Sequence, residues 1–143
     1  MHMKNYALIT GASSGIGLEI AKNLAGKGYN LILTARRKEL LESLAKEITD
    51  KNTIHVDLIS MDLSKYEAPK EIFQFCQSKD YQVDLLVNNA GYGIKTSFHN
   101  TSIEDEENFI RVLGTSVIML TKLFITNMIK NGGGKIMIVS SVA

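Results

Sequence analysis

A chain of 143 residues that is 45% hydrophobic and 22% charged has the size and composition of one soluble globular domain. A formal charge of +1 gives no basic field to attract nucleic acid or an anionic membrane surface, so neither is expected as a partner. A single cysteine, Cys76, excludes an internal disulfide and fits a reducing, cytoplasmic setting.

The start, Met1-His2-Met3-Lys4, has no apolar core of a signal peptide and leads directly into a strand over Asn5 to Thr10. That strand runs into Thr10-Gly11-Ala12-Ser13-Ser14-Gly15-Ile16-Gly17. Glycines at this spacing let the chain turn sharply from strand to helix and let a ligand approach the backbone. The free N–H groups and positive dipole at the helix start then face phosphates, so the segment is a candidate diphosphate cradle. The helix runs from Gly15 to Lys27, with Ile16, Ile20 and Leu24 on one face, and Gly28 ends it.

Asn30 to Ala35 is a buried strand, followed by Arg36-Arg37 and a helix over Lys38 to Asp50 with Leu40, Leu41, Leu44 and Ile48 on one side. Thr53 to Ser60 is a third strand, followed by Asp62-Leu63 and a helix over Tyr66 to Ser78 with Pro69 in its first turn. Cys76 falls in the apolar stretch Ile72-Phe73-Gln74-Phe75-Cys76, where a buried structural thiol is expected rather than a reactive one. Val83 to Asn88 is a fourth strand, ending in Asn88-Asn89-Ala90-Gly91. A long helical region, single or double, covers Ile103 to about Asn131, and its acidic run Glu104-Asp105-Glu106-Glu107 suits a first helical turn. Its apolar set Leu120, Leu123, Phe124 and Met128 is a core or subunit-contact stripe. Gly132-Gly133-Gly134 breaks the helix, and Lys135 to Ser141 is a fifth, strongly apolar strand. No apolar run is expected to be long enough to cross a bilayer. His55 and His99 lack the ligand spacing of a metal site, so no metal is expected.

Apolar strands separated by amphipathic helices predict a parallel sheet covered on both faces. Right-handed crossovers favour the strand order 3-2-1-4-5. The fold class is therefore α/β, a doubly wound, Rossmann-like, three-layer sheet. Residues 1–143 form one domain, expected to be incomplete at its C-terminus, because a long apolar fifth strand left as a bare edge is usually covered.

Four segments together make the chain resemble the classical short-chain dehydrogenase/reductase family. They are Thr10 to Gly17, Asp62-Leu63, Asn88-Asn89-Ala90-Gly91 and Ile138-Val139-Ser140-Ser141-Val142-Ala143. The resemblance covers essentially the whole chain and matches the family's N-terminal part. It implies an NADP(H)-dependent oxidoreductase that interconverts a carbonyl and an alcohol.

The cofactor-binding residues so implied are Gly11, Ser13, Ser14, Gly15, Ile16, Gly17, Arg36, Arg37, Asp62, Leu63, Asn89, Ala90, Gly91 and Val112. In NAD-specific folds an acidic residue after the second strand binds the ribose hydroxyls. Here Ala35-Arg36-Arg37 offers guanidinium groups that can hold a 2′-phosphate, or that form an ordinary solvated pair. Asp62 either accepts from the adenine amine or caps the next turn. Asn89 is expected to tie neighbouring strands together through its amide.

Ser141 is the implied catalytic serine, although two serines at a strand end also make an unremarkable turn. The family's Tyr-x-x-x-Lys pair does not follow within the given residues. Tyr66 and Lys70 have that spacing but sit in the wrong element. Leu113 stands where the family carries an active-site asparagine. The expected isolated chain is inactive, with a small-molecule carbonyl or alcohol substrate if completed. It is expected to self-associate as a homo-oligomer through its helices or its fifth strand. The alternative is a non-enzymatic NADP(H)-binding or subunit-interaction module.

Overall fold

The computed structural model describes residues 5–141. The readings made of Met1-His2-Met3-Lys4 and of Val142-Ala143 lie outside them. Five strands form one parallel sheet: β1 (Asn5–Thr10), β2 (Asn30–Ala35), β3 (Val56–Ser60), β4 (Gln82–Asn88) and β5 (Lys135–Ile138). Their order is β3-β2-β1-β4-β5. The chain thus winds outward from β1 to β3, then returns to place β4 on the other side of β1. That reversal leaves a crevice at the carboxyl ends of β1 and β4, where open α/β sheets bind ligands.

Alternation along each strand divides the apolar residues between two cores. Tyr6, Leu8, Ile32 and Leu86 face α3 (Ala68–Ser78) and α5 (Ser116–Lys130), packing with Ile72, Cys76, Leu120, Phe124 and Met128. Ala7, Ile9, Leu31, Leu33, Leu85 and Val87 face α1 (Gly15–Gly26) and α2 (Lys38–Lys51), packing with Ala21, Ala25, Leu41, Leu44 and Ile48. The layers are therefore α/β/α. Burial raises the Cys76 thiol pKa to about 12, so it is an inert core group.

Several boundaries differ from the sequence expectation, each for a tertiary reason. β3 begins at Val56 rather than Thr53, because its partner β2 begins at Asn30 and the first register pair is Leu31 with Val56. His55 consequently lies just outside the strand, where its N–H donates to Asn30 Oδ1 at 2.8 Å and its Nδ1 meets the Tyr6 hydroxyl at 3.1 Å. α3 begins at Ala68, placing Tyr66 in the turn before it, with the Lys70 ammonium 5.6 Å from the Tyr66 ring centroid. β5 ends at Ile138, one hydrogen bond before its pairing with β4 runs out at Val139 N–H to Asn88 O, 2.9 Å. Ser140 and Ser141 therefore follow the strand rather than close it.

The long helical region is α4 (Ile103–Ile110), a wide π-turn over Arg111–Thr115, and α5. The expectation that no apolar run could cross a bilayer is corrected here. Residues Ile103–Lys130 form 28 helical residues holding an 18-residue stretch of mean hydropathy 1.6, of which 22% is buried. Along the sequence, Lys122 and the polar residues around it interrupt the apolar run. In this fold Leu120, Phe124 and Met128 turn inward, and Ile118, Ile125 and Ile129 turn out.

Candidate functional site

The turn between β1 and α1 is shaped by a residue on another strand. Asn89, just past β4, donates its side-chain amide to the carbonyls of Thr10 at 3.0 Å and Gly11 at 3.1 Å. Thr10 answers with its hydroxyl oxygen, which accepts the backbone N–H of Asn89 at 3.0 Å and of Ala90 at 2.9 Å. The same buried hydroxyl donates to Val87 O at 3.4 Å. The two loops are thereby fixed against each other at the crevice.

This close approach explains two glycines. Gly11 has φ +63°, and a β-carbon there would sit 2.8 Å from Ala90 Cα. A β-carbon on Gly17 would collide with the Asn89 amide nitrogen and the Gly11 carbonyl. Gly15 differs, since a β-carbon there would meet nothing within 4 Å. Its backbone faces open space.

The first turn of α1 is also electrically unfinished. Its N-cap Ser14 makes no side-chain capping bond, and no acidic residue lies in the first turn. In α4, by contrast, Ser102 and Asp105 close a full capping box, with Asp105 N–H donating to Ser102 Oγ at 3.0 Å. The helix start at residues 14–17 thus keeps donors and dipole available to an anion, while the other serine-started helix does not.

Across the sheet, the ends of β2 and β3 present charge. Met61 N–H donates to Ala35 O at 2.9 Å, and Ser60 Oγ donates to Arg36 O at 3.0 Å. Arg36 and Arg37 are both exposed, and neither enters an ion pair among the described residues. Asp62 follows β3, with Oδ1 accepting from Ser64 N–H at 2.9 Å. Partial burial pushes its carboxyl pKa up. Ser64's N–H and hydroxyl, with the charges of Arg36 and Lys65, more than offset this and hold it below the usual carboxylate range. Asp62 therefore does form the turn that its residue type suggested, and its ionised form is the one the loop favours. Leu63 and Val112 are buried in one cluster beside it.

Asn88 is buried at 3% exposure; its amide donates to Thr121 Oγ1 at 3.3 Å, and its Oδ1 has no partner among the described residues. Gly91 lies on the open side of the crevice with Leu113 beside it: a β-carbon on Gly91 would be 3.8 Å from Leu113 Cγ. Leu113 is 41% exposed within the π-turn, so an apolar side chain stands at the position expected to be polar. Ser13 is half-buried and Ile16 exposed beside the turn, and Ser141 is exposed beyond β5. Among the described residues no three His, Cys, Asp or Glu side chains gather as a metal site.

Sequence reading missed Thr10, Ser64 and Arg111. Thr10 directly precedes the glycine turn, and that adjacency was its only signal.

Residues 5–143 match the family model for short chain dehydrogenases. The chain belongs to the short-chain dehydrogenase family. It is 35% identical over 133 residues to a very-long-chain 3-oxoacyl-CoA reductase of Vanderwaltozyma polyspora, covering 88% of this chain and 37% of the relative. It is 31% identical over 137 residues to an uncharacterised oxidoreductase of Staphylococcus saprophyticus, covering 96% and 58%. Among solved structures, a Sphingobium yanoikuyae short-chain dehydrogenase in complex with NADPH superposes with a TM-score of 0.90 at 30% identity, covering 96% of this chain and 54% of that one. A Thermococcus sibiricus alcohol dehydrogenase complexed with 5-hydroxy-NADP gives 0.87 at 34% identity, covering 96% and 58%. The chain thus spans roughly two-fifths of the first fungal reductases it matches, 37% in the case above. The β1–α1 turn and the β4 turn lie together at the carboxyl edge of the sheet.

Proposed function

We propose that this protein binds NADP(H) along the carboxyl edge of the sheet and serves a reductase that interconverts a carbonyl and an alcohol. The observation that carries the reading is the uncapped start of α1, opening at Gly15 with no neighbouring atom to fill it. The protein's own groups fit a phosphorylated dinucleotide. Residues Gly11 to Gly17, with Ser13 and Ser14, offer N–H and hydroxyl donors to a diphosphate. Arg36 and Arg37 meet a 2′-phosphate, which an acid at this place would repel. Asp62 accepts from the adenine amine while Leu63 and Val112 pack against the ring. Ala90 and Gly91 leave room for the nicotinamide ribose, and Asn89 keeps that wall in register.

The bound nicotinamide supplies or accepts hydride. The chain's contribution to carbonyl chemistry is Ser141, which as a neutral hydroxyl hydrogen-bonds a developing oxyanion. An aliphatic hydroxyl is a poor acid near neutral pH, and Leu113 cannot hold a water in a proton path. The 143-residue chain is therefore proposed to bind cofactor without measurable turnover. NADP-containing neighbours support the cofactor class, and a fungal reductase and an archaeal alcohol dehydrogenase support the reaction class.

Titration by NADPH and NADH fluorescence tests the reading. NADPH should bind more tightly, and the double change Ala35→Asp, Arg36→Ile should reverse the order. Equal affinities in the unmodified chain would overturn it. The second reading, a binding module without catalysis, is favoured by Leu113. Turnover of ketones abolished by Ser141→Ala would exclude it. The outward Ile118, Ile125 and Ile129 of α5 support self-association as part of the same proposal.

A further inference from the structure

Ser64 joins two elements that are otherwise separate. Its N–H donates to Asp62 Oδ1 at 2.9 Å. Its carbonyl accepts from Arg111 Nη1 at 3.4 Å, across 47 residues of sequence. Arg111 opens the π-turn, where the helix departs from α geometry and its side chains shift around the axis. The next residue, Val112, is buried in the same cluster as Leu63. Arg111 thus ties the helix to the loop by a hydrogen bond, while the residues beside each partner, Val112 and Leu63, share one apolar cluster. Ser116 steadies the turn from behind, donating its hydroxyl to Val112 O at 2.7 Å.

We infer that Arg111 is a positioning residue for base recognition: through the Ser64 carbonyl it holds the 62–64 loop so that Asp62 presents its carboxylate to the exocyclic amine of an adenine. The inference rests on the dinucleotide reading above. A half-buried arginine could instead simply lay its stem on the surface. The two roles differ in what they do to ligand choice. A surface stem alters stability alone. A positioning guanidinium alters how well Asp62 distinguishes an amine from a carbonyl at the base.

The experiment compares the unmodified chain with Arg111→Met and Arg111→Lys. Each is titrated with NADPH and with its hypoxanthine analogue, in which a carbonyl replaces the amine. Amide hydrogen exchange of Ser64 and Lys65 is followed without ligand. The unmodified chain should favour NADPH. Arg111→Met should weaken NADPH by about three- to tenfold, the scale of one hydrogen bond from a charged donor partly replaced by water. The analogue should be nearly unaffected, so the ratio between the two falls. Arg111→Lys should restore most of the ratio, and it keeps the test open if the methionine variant does not fold. Ser64 exchange should quicken in Arg111→Met while Leu8 and Leu86 stay protected. An unchanged ratio with unchanged exchange would overturn the inference. If the unmodified chain binds neither dinucleotide, the cofactor reading falls. The exchange arm then still decides whether Arg111 holds the loop, and unaltered Ser64 exchange overturns that as well.

Discussion

Gly17 and Gly26 lie on the same helix yet predict opposite outcomes for one methyl group. At Gly17 the added carbon runs into the Asn89 amide and the Gly11 carbonyl, both already engaged in the turn. Neither can retreat without breaking a hydrogen bond, so Gly17→Ala should cost about 1–3 kcal/mol, the range of an overpacked interior. At Gly26 the carbon meets nothing within 4 Å and the backbone is helical. Gly26→Ala should be neutral or stabilise by roughly 0.4–1 kcal/mol through the unfolded state. Urea denaturation of the two variants checks both signs. A Gly17 variant as stable as the parent would show that the Asn89 contact yields freely.

At the scale of elements, the two serine-started helices make a matched pair. Ser102 accepts from the Asp105 N–H and receives its side chain in return, whereas Ser14 makes no side-chain cap bond. Ser102→Ala should cost about 1 kcal/mol and Ser14→Ala only a few tenths. Thermal melting without ligand is the measurement, and equal losses would mean that Ser14 caps after all. The same comparison shows what the sequence could disclose. Both helix starts, the strand periodicities and the crossover order follow from local pattern, because apolar spacing and glycine positions are local facts. The closed cap is legible too, since Ser-x-x-Asp at Ser102 has an acid to reach back and Ser-x-x-Gly at Ser14 has none. The start of β3 depends on where Asn30 places its partner, and the end of β5 on where Asn88 stops. Over Arg111–Thr115 a π-turn and an α-turn present nearly the same apolar pattern, so the bond from Arg111 to Ser64 left no mark in the sequence.

For the whole molecule, the outer face of α5 sets the expectation for assembly. Ile118, Ile125 and Ile129 lie at intervals of seven and four residues, on one side of a helix of 100° per residue. Two of them are about 70% exposed, Ile118 at 71% and Ile129 at 70%. Self-association through this stripe should give a dimer or larger species by light scattering. Ile118→Glu with Ile129→Glu should shift it to monomer while leaving the melting of the two cores intact. A parent chain that is monomeric at millimolar concentration would rule the stripe out as a contact.

The bonds between Thr10 and the β4 turn span 79 and 80 residues of sequence. They carry a consequence for the order in which the molecule is made. Loop closures of that length form late, after local helices and neighbouring strands. The glycine turn after β1 has no Asn89 to hold it until all four of the first strands have been synthesised. Until then the glycine segment is a floppy linker between a strand and a helix. Its ability to grip an anion should therefore appear abruptly in a series of arrested nascent chains, at the length that first lets β4 reach β1.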